Sequence, residues 1–386
     1  MGFTSQDALI NAITTLGQYV RREGQKITSP AHTAGGWHML FGGAGYPNAT
    51  TYPAAADLVF QACTETGGDA AGATILGMQH GGVVESGSVT KHLLSMAALV
   101  VAAAGAPWQL KLVDLQGYYR IATTNLTGTG SRTLINTNTF TADAGTDLIT
   151  YTNDWSNFTK VRFTTTTTLP AGLSLNTDYW LIRQSTTTAR VASSLADAIA
   201  GTYIDITDAG TGTHTLTIQM REPDGVGCEA AFVIQTAPAT GGPNLTASSY
   251  TNAAGATGRA FQGSPTFGAA ADAYATRIPH SGNAAGRYGP FLPKQGGDTG
   301  IRSIQSFTLS GGTAYTGTGV AALTIVKPLA DIMVPVSGAY SERDLVNQVM
   351  SLPRIRDGAC LGWMMFSTGA TTSNSPVNTV IDAAWG

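Results

Sequence analysis

The sequence predicts a β-rich α+β base domain, formed by both ends of the chain and interrupted by a small inserted β-sandwich. Three observations lead there. Residues 134–220 are Thr-rich and alternate with period two, as in Asp147-Leu148-Ile149-Thr150-Tyr151, Val161-Arg162-Phe163-Thr164 and Thr213-His214-Thr215-Leu216-Thr217-Ile218, the pattern of half-buried antiparallel strands. Turn punctuation separates these runs at Leu169-Pro170-Ala171-Gly172, Ala200-Gly201 and Asp208-Ala209-Gly210-Thr211-Gly212, and short strands closely spaced by such turns indicate a sandwich. The segments on either side, 108–115 and 228–235, both read as strands able to share one sheet, which makes the middle an insertion between neighbouring chain ends. The predicted division is therefore 1–133 and 221–386 for the base and 134–220 for the insert.

Taken in order, the chain opens on a predicted helix over 5–23. Thr4 and Asp7 fit a capping box, Leu9, Ile10, Ile13, Leu16 and Val20 form an apolar stripe, and Gly24 closes the end. A Gly/Ala/Tyr-rich connector over 25–50 carries Trp37, His38 and Phe41. Pro53 marks a helix start continued over 54–63. Gly67-Gly68 breaks the chain, and 73–78 reads as a strand. The longest apolar run, 89–104, is capped by Ser88, stopped by Gly105 and Pro107, and Ala-rich; it reads as a buried helix. Its uninterrupted part, 93–106, is shorter than the ~20 residues that span a bilayer. Beyond the insert, 301–309, 322–326 and 358–366 are the strongest strand candidates, 342–350 a short helix capped by Ser341, and 380–386 an extended apolar tail.

Composition narrows the function. Only 12% of residues are charged, hydrophobic content is 43%, and the formal net charge is −3. That excludes a disordered chain and gives no basic footprint for sequence-specific nucleic acid or an anionic membrane. A chain so poor in charge is suited to sit among neighbours. The three cysteines, Cys63, Cys228 and Cys360, lack metal-site spacing and read as small buried hydrophobes. The stretch Met1–Asp7 has no basic and apolar signal regions, so no secretion signal is expected. The sequons at Asn48, Asn125, Asn157 and Asn244 then mean little.

No Walker A, GxGxxG, HExxH or GxSxG motif is present. The six histidines are scattered without metal spacing. His80-Gly81-Gly82 reads as a local turn and His280-Ser281 lacks a placed carboxylate. His32 and His38, flanking Trp37, read as structural hydrogen bonders, with a metal or ligand site as the alternative. Asp205 and Asp208 sit at a strand-to-turn boundary, where carboxylates accept backbone N–H bonds and, less often, hold calcium. No enzyme, cofactor or metal is expected.

Two sets of residues also carry a family resemblance. Residues 169–180 (LPAGLSLNTDYW), 192–202 (ASSLADAIAGT) and 204–216 (IDITDAGTGTHTL) together resemble an immunoglobulin-like module of tailed-bacteriophage virion proteins, here without that fold's cysteine pair. In the base, Thr4-Ser5-Gln6-Asp7, Arg287-Tyr288-Gly289-Pro290-Phe291-Leu292-Pro293, Gly300-Ile301-Arg302-Ser303-Ile304-Gln305, Glu342-Arg343-Asp344-Leu345 and Asp357-Gly358-Ala359-Cys360-Leu361 resemble a structural virion-protein family of environmental and marine tailed phages. The resemblance implies a head-associated structural protein, either shell or cement/decoration, assembled in many copies with itself and other virion proteins in the host cytoplasm. Tail, collar or adaptor roles are the alternative within the particle. A glycan-binding adhesin is the alternative of another class, using Tyr151, Trp155, Tyr179, Trp180 and Tyr203 of the insert for weak cell-surface contact. The candidate interface residues are Leu9, Ile13, Leu16 and Val20, the loop residues Tyr288 and Phe291, and Trp385.

Overall fold

The computed structural model describes residues 3–28, 32, 34–41, 45–46, 56–65, 77–101, 106–127, 129–236, 238–239, 241–265, 276–279, 289–310, 314–349, 351–371 and 375–386. The first part of the chain forms α1 (Gln6–Thr14), β1 (Tyr19–Thr28), β2 (Gly36–Met39), β3 (Gly45–Tyr46), β4 (Phe60–Ala62), β5 (Lys91–Val100), β6 (Trp108–Ile121), α2 (Thr123–Leu126) and β7 (Gly130–Thr133). The middle forms β8 (Thr137–Asp143), β9 (Leu148–Thr150), β10 (Lys160–Thr165), β11 (Tyr179–Arg183), β12 (Thr188–Ala192), α3 (Leu195–Ala200) and β13 (His214–Ile218). The last part forms β14 (Glu229–Thr236), β15 (Asn244–Asn252), β16 (Ile301–Ser310), β17 (Val320–Val334), β18 (Ser341–Asp344), β19 (Arg354–Ile355), β20 (Leu361–Ser367) and β21 (Ser375–Trp385).

Both ends of the chain build the base. The first sheet has the order β18-β5-β21-β1-β3, with β19 also on β5; the second has β14-β17-β6-β20-β2, with β4 on β6. The second sheet closes on itself. Residues 276–278 bridge its two edge strands, with Ile234 N donating to Arg277 O at 2.8 Å and Met39 N donating to Thr276 O at 2.8 Å. Trp37, Met39, Val113, Leu115, Val233, Val326 and Met364 belong to one buried cluster on this closed sheet. Another cluster, with Leu93, Met96, Ile381, Trp108, Leu110 and Trp363, joins the first sheet to the second. A three-stranded sheet, β15-β16-β7, leads into the insert. The strands flanking the insert, β6 and β14, share the second sheet, with β17 between them.

The insert departs from the expected sandwich. Its strands close into a barrel in the order β10-β11-β12-β9-β8-β13, with β13 pairing back to β10 over Val161–Thr165 and His214–Ile218. Closure removes the free edges that two open sheets would leave. One buried cluster runs without a break from Trp155, Phe163 and Leu216 of the barrel to Phe60, Tyr119 and Phe232 of the base. Tyr119 Oη donates to Asn136 Oδ1 at 2.5 Å, and Ala62 N donates to Ser156 Oγ at 2.8 Å across the same junction.

Four expected helices change. α1 ends at Thr14 because Gly17 turns the chain in the left-handed region (φ 65°), and Ser5, not Thr4, caps it by accepting from Ala8 N. Val20 therefore lies on β1, which pairs with β21 along its whole length. The expected helix at 54–63 is replaced by a turn at 57–58 and by β4 at Phe60–Ala62, paired with Tyr119–Gly117; residues 53–55 lie outside the described residues. Within the run at 89–104, Lys91–Val100 is β5, flanked by β21 on one side and by β18 and β19 on the other, and residues 102–104 lie outside the described residues. The run KHLLSMAALV is apolar at most positions on both strand faces, so its sequence shows no clear period to distinguish helix from strand, although in the structure burial alternates along it. Residues 341–344 likewise extend as β18 on β5. The terminal segment is no free arm: β21 lies between β1 and β5.

Candidate functional site

The interface candidates divide. Leu9 is buried with Leu94 and Ala384, and Ile13 packs beside them. Val20 is buried between the first two sheets, and Trp385 packs on the same core while its ring covers Gly81. Phe291 is half-buried against the core of the second sheet. These side chains serve the chain's own core. Leu16 is 57% exposed. Tyr288 lies outside the described residues, as do 281–287, Gly67-Gly68 and 73–76.

Sequence reading missed the exposed apolar group beside β18. Met333, Val336 and Tyr340 are exposed at 55%, 54% and 60%. The 335–340 loop that carries two of them is held against β5 by Gly338 N donating to Val100 O at 3.1 Å, and Val101, also exposed, follows directly. Next to it the outer face of the first sheet forms a trough of about 640 Å³, lined among others by Arg21, Glu23, Ala97, Tyr340, Val380 and Asp382. These residues come together only because β1, β21, β5 and β18 are neighbours in space.

A second assembly missed in the sequence lies buried where β5, the 80–86 loop and the turn before β20 meet. Lys91, the first residue of β5, has a side chain with no exposure. Its ammonium donates to His80 Nδ1 at 2.9 Å and Gly82 O at 2.5 Å, and reaches Asp357 Oδ1 at 3.4 Å. Gly81 and Gly82 both adopt positive φ, which turns the Gly82 carbonyl inward. His80 Nε2 contacts the Ala359 carbonyl at 3.0 Å. A carbonyl only accepts, so the Nε2 proton is assigned there and Nδ1 is left as the acceptor for Lys91. Glu65 Oε2 accepts from His80 N at 3.0 Å and lies 3.4 Å from His80 Nε2. Its other oxygen is buried without a hydrogen-bond partner. The Asp357 oxygens accept from Val84 N at 3.0 Å and Glu85 N at 2.8 Å. Burial holds the His80 imidazole well below its usual range and lowers the Lys91 ammonium, while it raises the Glu65 carboxyl. The turn reading of His80-Gly81-Gly82 was right about backbone shape and missed what the histidine touches.

A cleft of about 550 Å³ adjoins this cluster at the barrel–base junction, lined by Trp180, Leu195, Lys160, Arg356, Glu85 and Asp357 among others. Behind it Arg221 donates to Asp114 Oδ1 at 2.5 Å and to Cys63 O at 2.7 Å, while Asp114 Oδ1 also accepts from Cys360 N at 2.8 Å. All three cysteines are buried.

The remaining sequence candidates settle into structural roles. His32 and His38 stack at 3.9 Å between ring centroids, with Thr276 Oγ1 3.3 Å from His38 Nδ1. Asp208 Oδ1 accepts from Gly210 N at 2.8 Å and Ala171 N at 3.1 Å, the expected turn use. Among the described residues no group of three or more His, Cys, Asp or Glu is placed to hold a metal, and no helix is long and apolar enough to cross a membrane. Of the five insert aromatics, Tyr151, Trp155 and Tyr179 are barrel core. Trp180 lies beneath Lys160 Nζ at 5.5 Å, and Tyr203 beneath the Arg190 guanidinium at 3.9 Å.

The histidine stack makes stability depend on pH. Burial, then the Arg277 charge, pushes His32 down to about 3. In the unfolded chain the same ring titrates near its usual ~6.5, so below that pH the unfolded state binds the extra proton. Stability is expected to fall as pH drops from about 6.5 toward 3, by up to ~1.4 kcal/mol per pH unit for this one group. Denaturation midpoints across that range should show a His32→Gln variant with a shallower slope, by about one proton. A variant as acid-sensitive as the wild type would exclude His32 as the source.

No family model and no curated protein matches this chain. A solved structure of infectious bursal disease virus, Gx strain, aligns with it at 10% identity over 95% of this chain and 80% of that one; its TM-score of 0.12 carries no argument about fold or function.

Proposed function

We propose that this chain is a structural subunit of a tailed-phage virion, associated with the head as a cement/decoration protein or as the shell protein, and that it acts by multi-copy assembly. The single observation that carries the reading is the exposed apolar group of Val101, Met333, Val336 and Tyr340 at the end of the first sheet. Apolar area withdrawn from water at such a contact contributes ~25 cal/mol per Å², and multiplicity compounds modest contacts. The chain's sparse charge supports the same reading: many of its ions are spent on internal pairs such as Arg221–Asp114, Arg259–Asp298 and Arg343–Asp331. The phage virion resemblance in the sequence supplies the particle.

Quantitative mass spectrometry of purified particles tests it. The chain is expected at an abundance comparable to the principal shell protein; a tail-level abundance would favour the tail or collar alternative, and absence would end the virion reading. A Val336→Asp/Tyr340→Asp double variant should melt like the wild type, since exposed substitutions usually cost within ±0.5 kcal/mol. Its incorporation into particles should fall about tenfold or more, the effect of losing ~1.4 kcal/mol per contact. Wild-type incorporation would place the interface elsewhere.

A further inference from the structure

We infer that Lys91 and Asp357 form an intramolecular isopeptide bond, made by the folded protein itself. The geometry supplies each part that amide formation needs. Lys91 Nζ, the nucleophile, lies 3.4 Å from Asp357 Oδ1 in a site from which its side chain is wholly shielded from water. Holding two reacting groups in contact replaces a bimolecular encounter. His80 Nδ1, 2.9 Å from Nζ, is a bare acceptor because Nε2 is engaged by Ala359 O, so it can take a proton from the amine. The backbone N–H groups of Val84 and Glu85, at 3.0 and 2.8 Å from the two carboxyl oxygens, stabilise negative charge that builds there when the carbon becomes tetrahedral. Burial, which disfavours both the ammonium and an ionised Glu65, favours the neutral amine that attacks.

The step balances without an oxidant. The Nζ lone pair attacks Asp357 Cγ. Two of the three ammonium protons pass in turn through His80 Nδ1 to Oδ1, and the C–Oδ1 bond breaks to release one water. The third proton stays on the amide nitrogen, and Oδ2 remains as the amide oxygen, still facing Glu85 N. The cross-link would tie β5 to the turn before β20 and enclose the entire barrel insert in the closed loop. This inference does not depend on the virion reading.

Mass spectrometry of the full chain, purified folded and then denatured, tests it. The wild type is expected below its sequence mass by one water, and digestion should yield a branched peptide joining Lys91 to Asp357. Asp357 precedes glycine, where a cyclic succinimide also loses one water; that product would give only a linear peptide, and finding it alone would overturn the proposal. The full sequence mass would overturn it as well and would leave Lys91 as a buried ammonium pin. Asp357→Asn should give the same branched peptide with loss of ammonia instead of water, and Lys91→Arg should keep its sequence mass. His80→Gln is expected to slow formation of the branched peptide about a hundredfold, the scale of a lost general base; an unchanged rate would remove His80 from the mechanism.

Discussion

Replacing Asp114 with alanine is expected to destabilise the protein by about 3–5 kcal/mol, the cost of leaving a buried charge without its partner. Asp114 is 3% exposed and sits on β6, where its carboxylate accepts from Arg221 Nη2 and Nε, from Gln116 Nε2 and from Cys360 N. Arg221 immediately follows the barrel, and its side chain is 13% exposed. With the carboxylate gone, the guanidinium keeps the carbonyls of Cys63 and Leu115 but no countercharge. Chemical denaturation followed by tryptophan fluorescence reads the shift in midpoint. Replacing both partners, as Asp114→Met with Arg221→Met, should recover much of the loss, because an apolar pair carries no desolvation cost. A single-variant loss below about 1 kcal/mol, within the range of ordinary substitutions, would show that the pair does not hold barrel to base.

Trp108→Ala should cost a similar amount, about 3–5 kcal/mol, by opening a cavity where two sheets meet. Trp108 has no exposed surface, begins β6, and is paired with Val334 on one side and Ser367 on the other. Its ring lies in the cluster shared with Met96, Val100, Val377 and Met365. The strands around it are held by their ladders and cannot close on the space an indole leaves, so the cost is expected near the top of that range. Near-UV circular dichroism together with the denaturation midpoint would register it. A midpoint unchanged within error would mean that the first sheet does not rely on this contact.

The two variants probe what was least legible in the sequence. The strands 108–115, 228–235, 301–309, 322–326 and 358–366 were readable from their β-branched and apolar runs between Gly/Pro turns, and each overlaps a strand of the base. β5 was not readable: apolar residues stand on both of its faces, so the sequence lacks the alternation that its burial shows, and the alanines that suit a helix also fit between β21 and β18. The N-terminal stripe failed differently. Leu9, Ile13, Leu16 and Val20 keep helical spacing, but Gly17 ends the helix and pairing with β21 claims Val20 for a strand. In the insert the strands were legible and their closure was not, since period two gives each strand an inner face and says nothing of which strand closes the ring.

The candidate sites divide the same way. Asp208 accepting turn amides follows from local chemistry and was legible. The Glu65–His80–Lys91–Asp357 cluster was invisible, because Lys91 and Asp357 stand 266 residues apart and the members carry no shared motif. By itself the sequence determined where the alternating strands run, where turns fall and that little charge is left for solvent, because backbone preference and alternation act between near neighbours. Only the tertiary structure decided that the last strand lies inside a sheet, that the insert is a barrel sharing the base's core, and that a lysine meets an aspartate away from water. Those outcomes depend on which distant surfaces bury each other, and burial is a property of the assembled chain.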